Sequence, residues 1–203
     1  GRLNLTNIDE IINKKTKILA FTHQSNVLGT IPPIKLIVDK AISVGAITIL
    51  DACQSAPHFK IDVNDLGVDF LAFSGHKMLG PTGVGVLWGK QELLNEMPPF
   101  LTGGSMIETV TMESSTYLPA PKRFEAGVPN MAQAVGLGAA IDYLTKIGLD
   151  VIHKHEIELT KRAIEGLSGI SGLRIIGPKD LSMRGGVISF EVEGIHPHDL
   201  GQA

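Results

Sequence analysis

The chain contains one cysteine, Cys53, among 203 residues. That number excludes an internal disulfide framework and any all-cysteine metal site. Basic charge is also scarce: 18 lysines and arginines face 21 carboxylates, for a net charge of −3. Nothing in that balance suggests a nucleic-acid partner. No apolar stretch is long enough to span a bilayer, and no internal repeat or low-complexity tract is present. The opening residues Gly1-Arg2-Leu3-Asn4-Leu5 resemble neither a signal peptide nor a transit peptide. A reducing, cytoplasmic setting is the expectation for such a chain. Its apolar content is ordinary, and its length suffices to bury a real core.

The residues that remain alternate between helical and strand-like patterns. Residues 8–13 read as the end of a helix, 16–22 as a buried strand and 34–44 as a helix. Residues 46–51, Ala-Ile-Thr-Ile-Leu-Asp, form a β-branched run ending in a carboxylate. Further strands are predicted at 69–73 and 84–88. Strands alternating with helices imply a parallel sheet covered on both faces, with ligands bound beyond the carboxyl ends of its strands. Residues 98–130 are polar and glycine-rich, and a loop of that length is usually functional or mobile. Helical spacing returns over 131–147 and 149–167, followed by strands at 173–176 and 186–192 in a second, smaller unit. A helix start is predicted at His198-Asp199. The pattern divides the chain into a large unit, 1–147, and a connecting helix with the beginning of a small unit, 148–203. It reads as an internal piece of something larger.

The most informative segment is 68–87. An apolar run ends at Ser74-Gly75-His76-Lys77, and a Gly/Pro loop follows before a second apolar run. A lysine is thereby held where a buried strand stops, among small residues that permit close approach to the backbone. A lysine so placed is either a phosphate clamp or an amine made nucleophilic by its surroundings. The order of a P-loop is absent, and no helix-forming segment follows the lysine directly. Glycines 80, 83 and 85 come after it and serve a tight turn.

Two other predicted strand ends carry polar groups as well: His23, Ser25 and Asn26 after the first, Asp51 and Gln54 after the second. With Ser74, His76 and Lys77 they supply one sheet edge with a carboxylate, amides, hydroxyls, an imidazole and an amine. Pyridoxal phosphate requires this set. A lysine amine condenses with the aldehyde, and a carboxylate keeps the pyridine nitrogen protonated so that the ring accepts electrons. Small donors hold the phosphate and the phenolic oxygen.

The run 69–87, together with Asp51-Ala52-Cys53-Gln54, resembles the class V branch of fold-type I pyridoxal-phosphate enzymes. Three further segments narrow the likeness: Thr22-His23-Gln24-Ser25-Asn26-Val27-Leu28-Gly29, Gly103-Gly104-Ser105-Met106-Ile107 and Arg123-Phe124-Glu125-Ala126-Gly127-Val128-Pro129-Asn130. They are similar to the group II cysteine desulfurases of the SufS/CsdA kind. The resemblance implies an α/β fold, most of a fold-type I large domain plus the start of its α+β small domain. It implies removal of sulfur from L-cysteine, giving L-alanine and a persulfide for iron–sulfur cluster assembly, with a sulfur-acceptor protein and a homodimer as partners.

Residue by residue, it implies that Lys77 forms the Schiff base and shuttles protons. Asp51 would face the pyridine nitrogen, Gln54 the phenolic oxygen, Ser74 and His76 the phosphate, and Asn26 the ring and substrate. Val128 stands where relatives offer a threonine hydroxyl across the dimer, and Thr102 where they often carry a third glycine. The catalytic cysteine and the arginine for the substrate carboxylate would lie beyond Ala203, and the ring-stacking histidine before Gly1. The piece alone is therefore expected to be inactive. Selenocysteine lyases and epimerases of the same class would share the cofactor residues. A cofactor-free interaction or dimerisation module has no need of Lys77.

Other residues carry blander readings. Cys53, between Asp51 and Gln54 at a strand end, reads as packed rather than catalytic. His196 and His198 lack a third ligand for zinc, and Asp199 reads as an N-cap. His153 and His155 read as solvated, and His58 as an unremarkable loop residue. His23 stands between a cofactor-side role and satisfying the strand end.

Overall fold

Three parallel strands set the frame on which everything else is hung. The structure is a computed structural model and describes residues 1–202. In chain order its elements are α1 (Ile8–Ile11), β1 (Ile18–Thr22), α2 (Ile34–Val44), β2 (Ile47–Asp51), α3 (Val63–Leu66), β3 (Phe70–Ser74), β4 (Gly85–Gly89), α4 (Gln91–Glu96), β5 (Ile107–Val110), β6 (Ser115–Tyr117), α5 (Met131–Ile147), α6 (Leu149–Ser168), β7 (Leu173–Ile176), β8 (Ser189–Val192) and α7 (Pro197–Gln202). The main sheet has the order β1-β2-β3-β4. β1, β2 and β3 run parallel, and β4 returns antiparallel to β3. Fold class is thus α/β with a mostly parallel sheet.

α2 shows why the chain folds this way. Its buried residues Ile34, Ile37, Val38 and Ala41 recur at helical spacing and form a single apolar stripe. Gly45 ends it in the left-handed conformation, and its N–H bonds back to the carbonyls of Ala41 and Ile42. The stripe packs on Leu50, Ala52, Val68 and Leu71, and Val63 and Leu66 of α3 join the same cluster. Both crossover helices therefore cover one face of the sheet. On the other face, Ile47, Ile49 and Phe70 lie under Leu93, Leu94, Ala120 and Phe124. That cover stops short of the β1 edge, where Ile18 is 59% exposed, so the second face is only partly clothed.

A polar lock fixes the lower ends of the strands. Asp69 accepts from the backbone N–H and hydroxyl of Thr48 (2.8 and 3.0 Å) and from Lys90 Nζ (2.7 Å). Burial pushes the Asp69 carboxyl up, but the Lys90 and Thr48 bonds outweigh it and hold the pKa below the usual carboxylate value. Charge and hydrogen bonds thus set the register of β2, β3 and β4 at the end remote from the candidate site.

The 98–130 stretch is more ordered than a long loop. It contains the antiparallel β5–β6 hairpin, whose register is interrupted between Ile107 and Thr109. Arg123 then donates to the carbonyls of Leu118, Asn95 and Met97, which adds to the packing of Ala120 and Phe124 as an anchor of this segment. β7 and β8 form a separate antiparallel pair. The last helix starts at Pro197, a residue suited to the first helical position. Asp199 accordingly lies in its first turn rather than capping it, and the N–H of His198 meets Nδ1 of His196 (3.2 Å).

Candidate functional site

The register of the sheet brings three strand ends to one edge. Thr22 is level with Asp51, and Asp51 with Ala72, two residues before Ser74. The carboxyl end of β1 leads into the turn bearing Asn26, that of β2 into Cys53 and Gln54, and that of β3 into Lys77.

At the β2 end, the ladder continues one residue further through the N–H of Ala52, which donates to Ala72 O (2.8 Å). The chain then turns sharply, and Asp51 stabilises that turn by accepting the N–H of Cys53 on Oδ1 (2.9 Å). Asp51 is exposed and is in no ion pair among the described residues. Gln54, half-buried, follows in a tight turn in which the N–H groups of Ser55 and Ala56 both return to Ala52 O. Cys53 projects toward β3, with its Sγ 3.4 Å from Ser74 Oγ. That contact joins the two strand ends from which Asp51 and Ser74 project.

At the β3 end, Gly75–Met78 form one 3-10 turn. A Cβ on Gly75 would lie 2.8 Å from Val84 Cγ1 and 3.0 Å from Val84 O, so only glycine fits between strand and loop. Leu79 closes the turn with a φ of 64°, its N–H bonded to Gly75 O. For a residue with a side chain that backbone region costs about 1–2 kcal/mol. Met78 is buried against Leu137 and Leu144 of α5, which seats the turn from below. His76 and Lys77 are exposed, and the Lys77 amine is in no ion pair among the described residues. The fold thus clamps the backbone on either side of Lys77 and leaves the amine open.

The β1 end carries Asn26, exposed, in a turn whose Ser25 hydroxyl accepts the N–H groups of Val27 and Leu28 (3.2 and 3.1 Å). His23 is directed elsewhere. Its backbone N–H donates to Asp51 O, but its ring meets Phe59 edge-on at 5.2 Å, and Phe59 meets His153 at 5.5 Å. His23 lines a cavity of about 280 Å³ with Phe59, Lys60, Asp62 and Asp65. Burial lowers its pKa from 6.5 to about 4, because the charged imidazole loses water and gains no partner. His153 is thus packed, not solvated, whereas His155 is exposed. His58 pairs with Glu156 of α6, with Nδ1 2.7 Å from Oε1. Contacts between residues nearly a hundred positions apart leave no local signal in a sequence.

The donor set can be tested against pyridoxal phosphate. An exposed lysine at Lys77, an exposed carboxylate at Asp51 and a hydroxyl at Ser74 stand on adjacent strand ends. The residues present fit the group. No set of three or more histidine, cysteine, aspartate or glutamate side chains with metal-binding geometry occurs among the described residues.

The profile of the family described as "Aminotransferase class-V" matches residues 1–203. A probable cysteine desulfurase of Streptomyces coelicolor is 59% identical over 202 residues, covering 100% of this chain and 48% of that protein. The apo structure of a cysteine desulfurase from Thermococcus onnurineus superposes with a TM-score of 0.94 at 42% identity, covering 100% of this chain and 50% of the other. The cysteine desulfurase CsdA of Escherichia coli superposes with a TM-score of 0.91 at 36% identity, covering 97% and 48%. The chain spans about half the length of the curated relatives it matches.

Proposed function

The chain belongs to the aminotransferase class-V family, and from that premise we propose that it forms the cofactor-binding part of a pyridoxal-phosphate-dependent cysteine desulfurase. The observation that carries the reading is the Asp51–Cys53–Ser74 contact beside the clamped turn of Lys77. A carboxylate, a phosphate-type donor and an exposed amine thereby stand at one edge of the sheet. The names of the relatives support the choice of L-cysteine as substrate.

When bound, pyridoxal phosphate supplies an electron sink for the substrate's α-carbon. The protein's part is positional and electrostatic. Lys77 Nζ would be the attachment point and the base that takes and returns the α-proton, on a turn seated by Met78 against α5. Asp51 presents fixed negative charge, preorganised by the Cys53 N–H, where a ring nitrogen must stay protonated. Ser74 and His76 offer donors to the phosphate, Gln54 offers an amide to the phenolic oxygen, and Asn26 closes the β1 side. Cys53 is occupied with Ser74 and is not assigned the attack on substrate sulfur.

The reading extends to a homodimer, a sulfur-acceptor protein, iron–sulfur cluster assembly and a cytoplasmic location. Exposed apolar side chains at Phe100, Met112, Val128 and Val135, 74–96% accessible, support the dimer. The test is alanine formation from L-cysteine by the cofactor-loaded full-length protein, with L-selenocysteine and L-alanine in parallel. Alanine from L-cysteine, abolished in Lys77→Ala, is the expected result. Turnover of selenocysteine alone, or racemisation of alanine alone, would assign another class V activity.

A further inference from the structure

Arg184 is fully buried, with 0% exposure, yet no carboxylate pairs with it among the described residues. Its guanidinium meets only backbone carbonyls: Nη1 donates to Pro178 O (2.7 Å), Nη2 to Val187 O (2.5 Å) and Nε to Gly185 O (3.4 Å). A cation removed from water and met only by dipoles is costly to keep. What it secures is the fold of the 178–187 loop, which three separated carbonyls gather around one planar donor group.

That loop grips the turn after β1. Gly185 N–H donates to Gly29 O (2.8 Å), Ile31 N–H donates to Met183 O (2.9 Å), and Arg184 itself bridges Thr30. Ser189 Oγ donates to Val27 O. The approach is too close for side chains: a Cβ on Gly29 would stand 2.7 Å from Val187 O, and one on Gly185 would stand 2.4 Å from the Gln24 amide. Between these two contacts lies Asn26, on a turn that Ser25 braces from within.

We propose that Arg184 is a positioning residue for Asn26: by folding the 178–187 loop it fixes the 24–31 turn, and with it the amide at the β1 side of the site. The link to catalysis rests on the cofactor reading of Asn26, whereas the mechanical hold of Arg184 on the turn does not. The loop precedes β8, so the β7–β8 unit and the candidate site share one rigid contact.

The experiment has two arms. In the first, amide hydrogen exchange and the Asn26 side-chain resonance are followed by NMR without cofactor, in the wild type, Arg184→Met, Arg184→Lys and Ser189→Ala. Exchange of Ile31 and Gly185 should accelerate at least tenfold in Arg184→Met, with a shifted Asn26 resonance and unchanged protection at Leu50 and Phe70. Lysine should not rescue, since one ammonium cannot span the three carbonyls. Ser189→Ala leaves the guanidinium intact and should loosen the same amides to a smaller degree, which keeps the test alive should Arg184→Met fail to fold. Unchanged exchange at Ile31 and Gly185 overturns the proposal.

The second arm is a double-mutant cycle of Arg184→Met and Asn26→Ala on pyridoxal phosphate affinity. Action through Asn26 predicts that Arg184→Met has little further effect once Asn26 is alanine. Additive losses overturn that route. Loosened amides with unchanged affinity in both single variants overturn the cofactor role of Asn26 and leave the hold of Arg184 standing.

Discussion

The Sγ of Cys53 stands 3.4 Å from the Oγ of Ser74, while the N–H of Cys53 rests on the carboxylate of Asp51. One residue thus links the two groups proposed to bracket the cofactor, and its thiol lies beside one of them. Pyridoxal phosphate should therefore shield it. Labelling of Cys53 with a maleimide is expected to slow at least tenfold when cofactor is added, with Lys77→Ala restoring much of the rate. Equal labelling with and without cofactor would mean that the group does not sit at this edge of the sheet.

Ser74→Ala removes a hydroxyl proposed to donate to a charged phosphate. Hydrogen bonds to charged groups contribute about 1.5–3 kcal/mol, so cofactor affinity should fall roughly 10- to 100-fold. Cys53→Ala should change affinity by only a few-fold. Equilibrium titration by absorbance or fluorescence compares the two.

Asp51→Asn keeps the shape of the turn, since an amide oxygen still accepts the Cys53 N–H, but it removes the charge. Cofactor should still bind at Lys77. Turnover should drop by about 10²-fold or more, the scale of losing a preorganised electrostatic group. Steady-state kinetics on the loaded full-length protein, with the bound-cofactor spectrum recorded alongside, separates loss of chemistry from loss of binding.

His23 makes stability depend on pH. Its pKa is about 4 in the folded chain against 6.5 when unfolded, so between these values the unfolded state binds more protons. Stability is then complete above pH 6.5 and is lost as pH falls through 4, by about 3 kcal/mol in all. Urea denaturation at pH 7.5 and 4.5 should show this loss, and His23→Gln should remove most of it. A variant with an unchanged pH slope would assign the effect to other groups.

Leu50 is fully buried in the core between α2 and the sheet. Leu50→Ala should cost about 2–5 kcal/mol through lost transfer energy and an unfilled cavity. Thermal melting measures the loss directly.

The α2 helix was legible in its entirety because its buried positions repeat at helical spacing and Gly45 stops it. β1, β2 and β3 were legible to within two residues because apolar runs end in polar clusters. The β5–β6 hairpin was not: Thr109 and Thr116 pair their hydroxyls at the surface, and neither strand presents an alternating apolar face. The places of Asp51 at the end of β2 and of Lys77 in the turn just after β3 were readable, because apolar runs stop there at a carboxylate and a Ser-Gly-His-Lys segment. Arg184 was not, since an arginine beside two glycines gives no sign that it will be buried among carbonyls. The partners of His23, His58 and His153 depend on α6 packing back against the turn after β2, a relationship set by tertiary structure alone.

The central claim is that Lys77 is the attachment point of pyridoxal phosphate. The most direct measurement is the absorption spectrum of the folded chain after incubation with pyridoxal phosphate and removal of the excess, for the wild type and Lys77→Ala. The account predicts a visible band of lysine-bound cofactor in the wild type that is absent from the variant. A band of equal intensity in both, or none in a wild-type chain that circular dichroism shows to be folded, would contradict it.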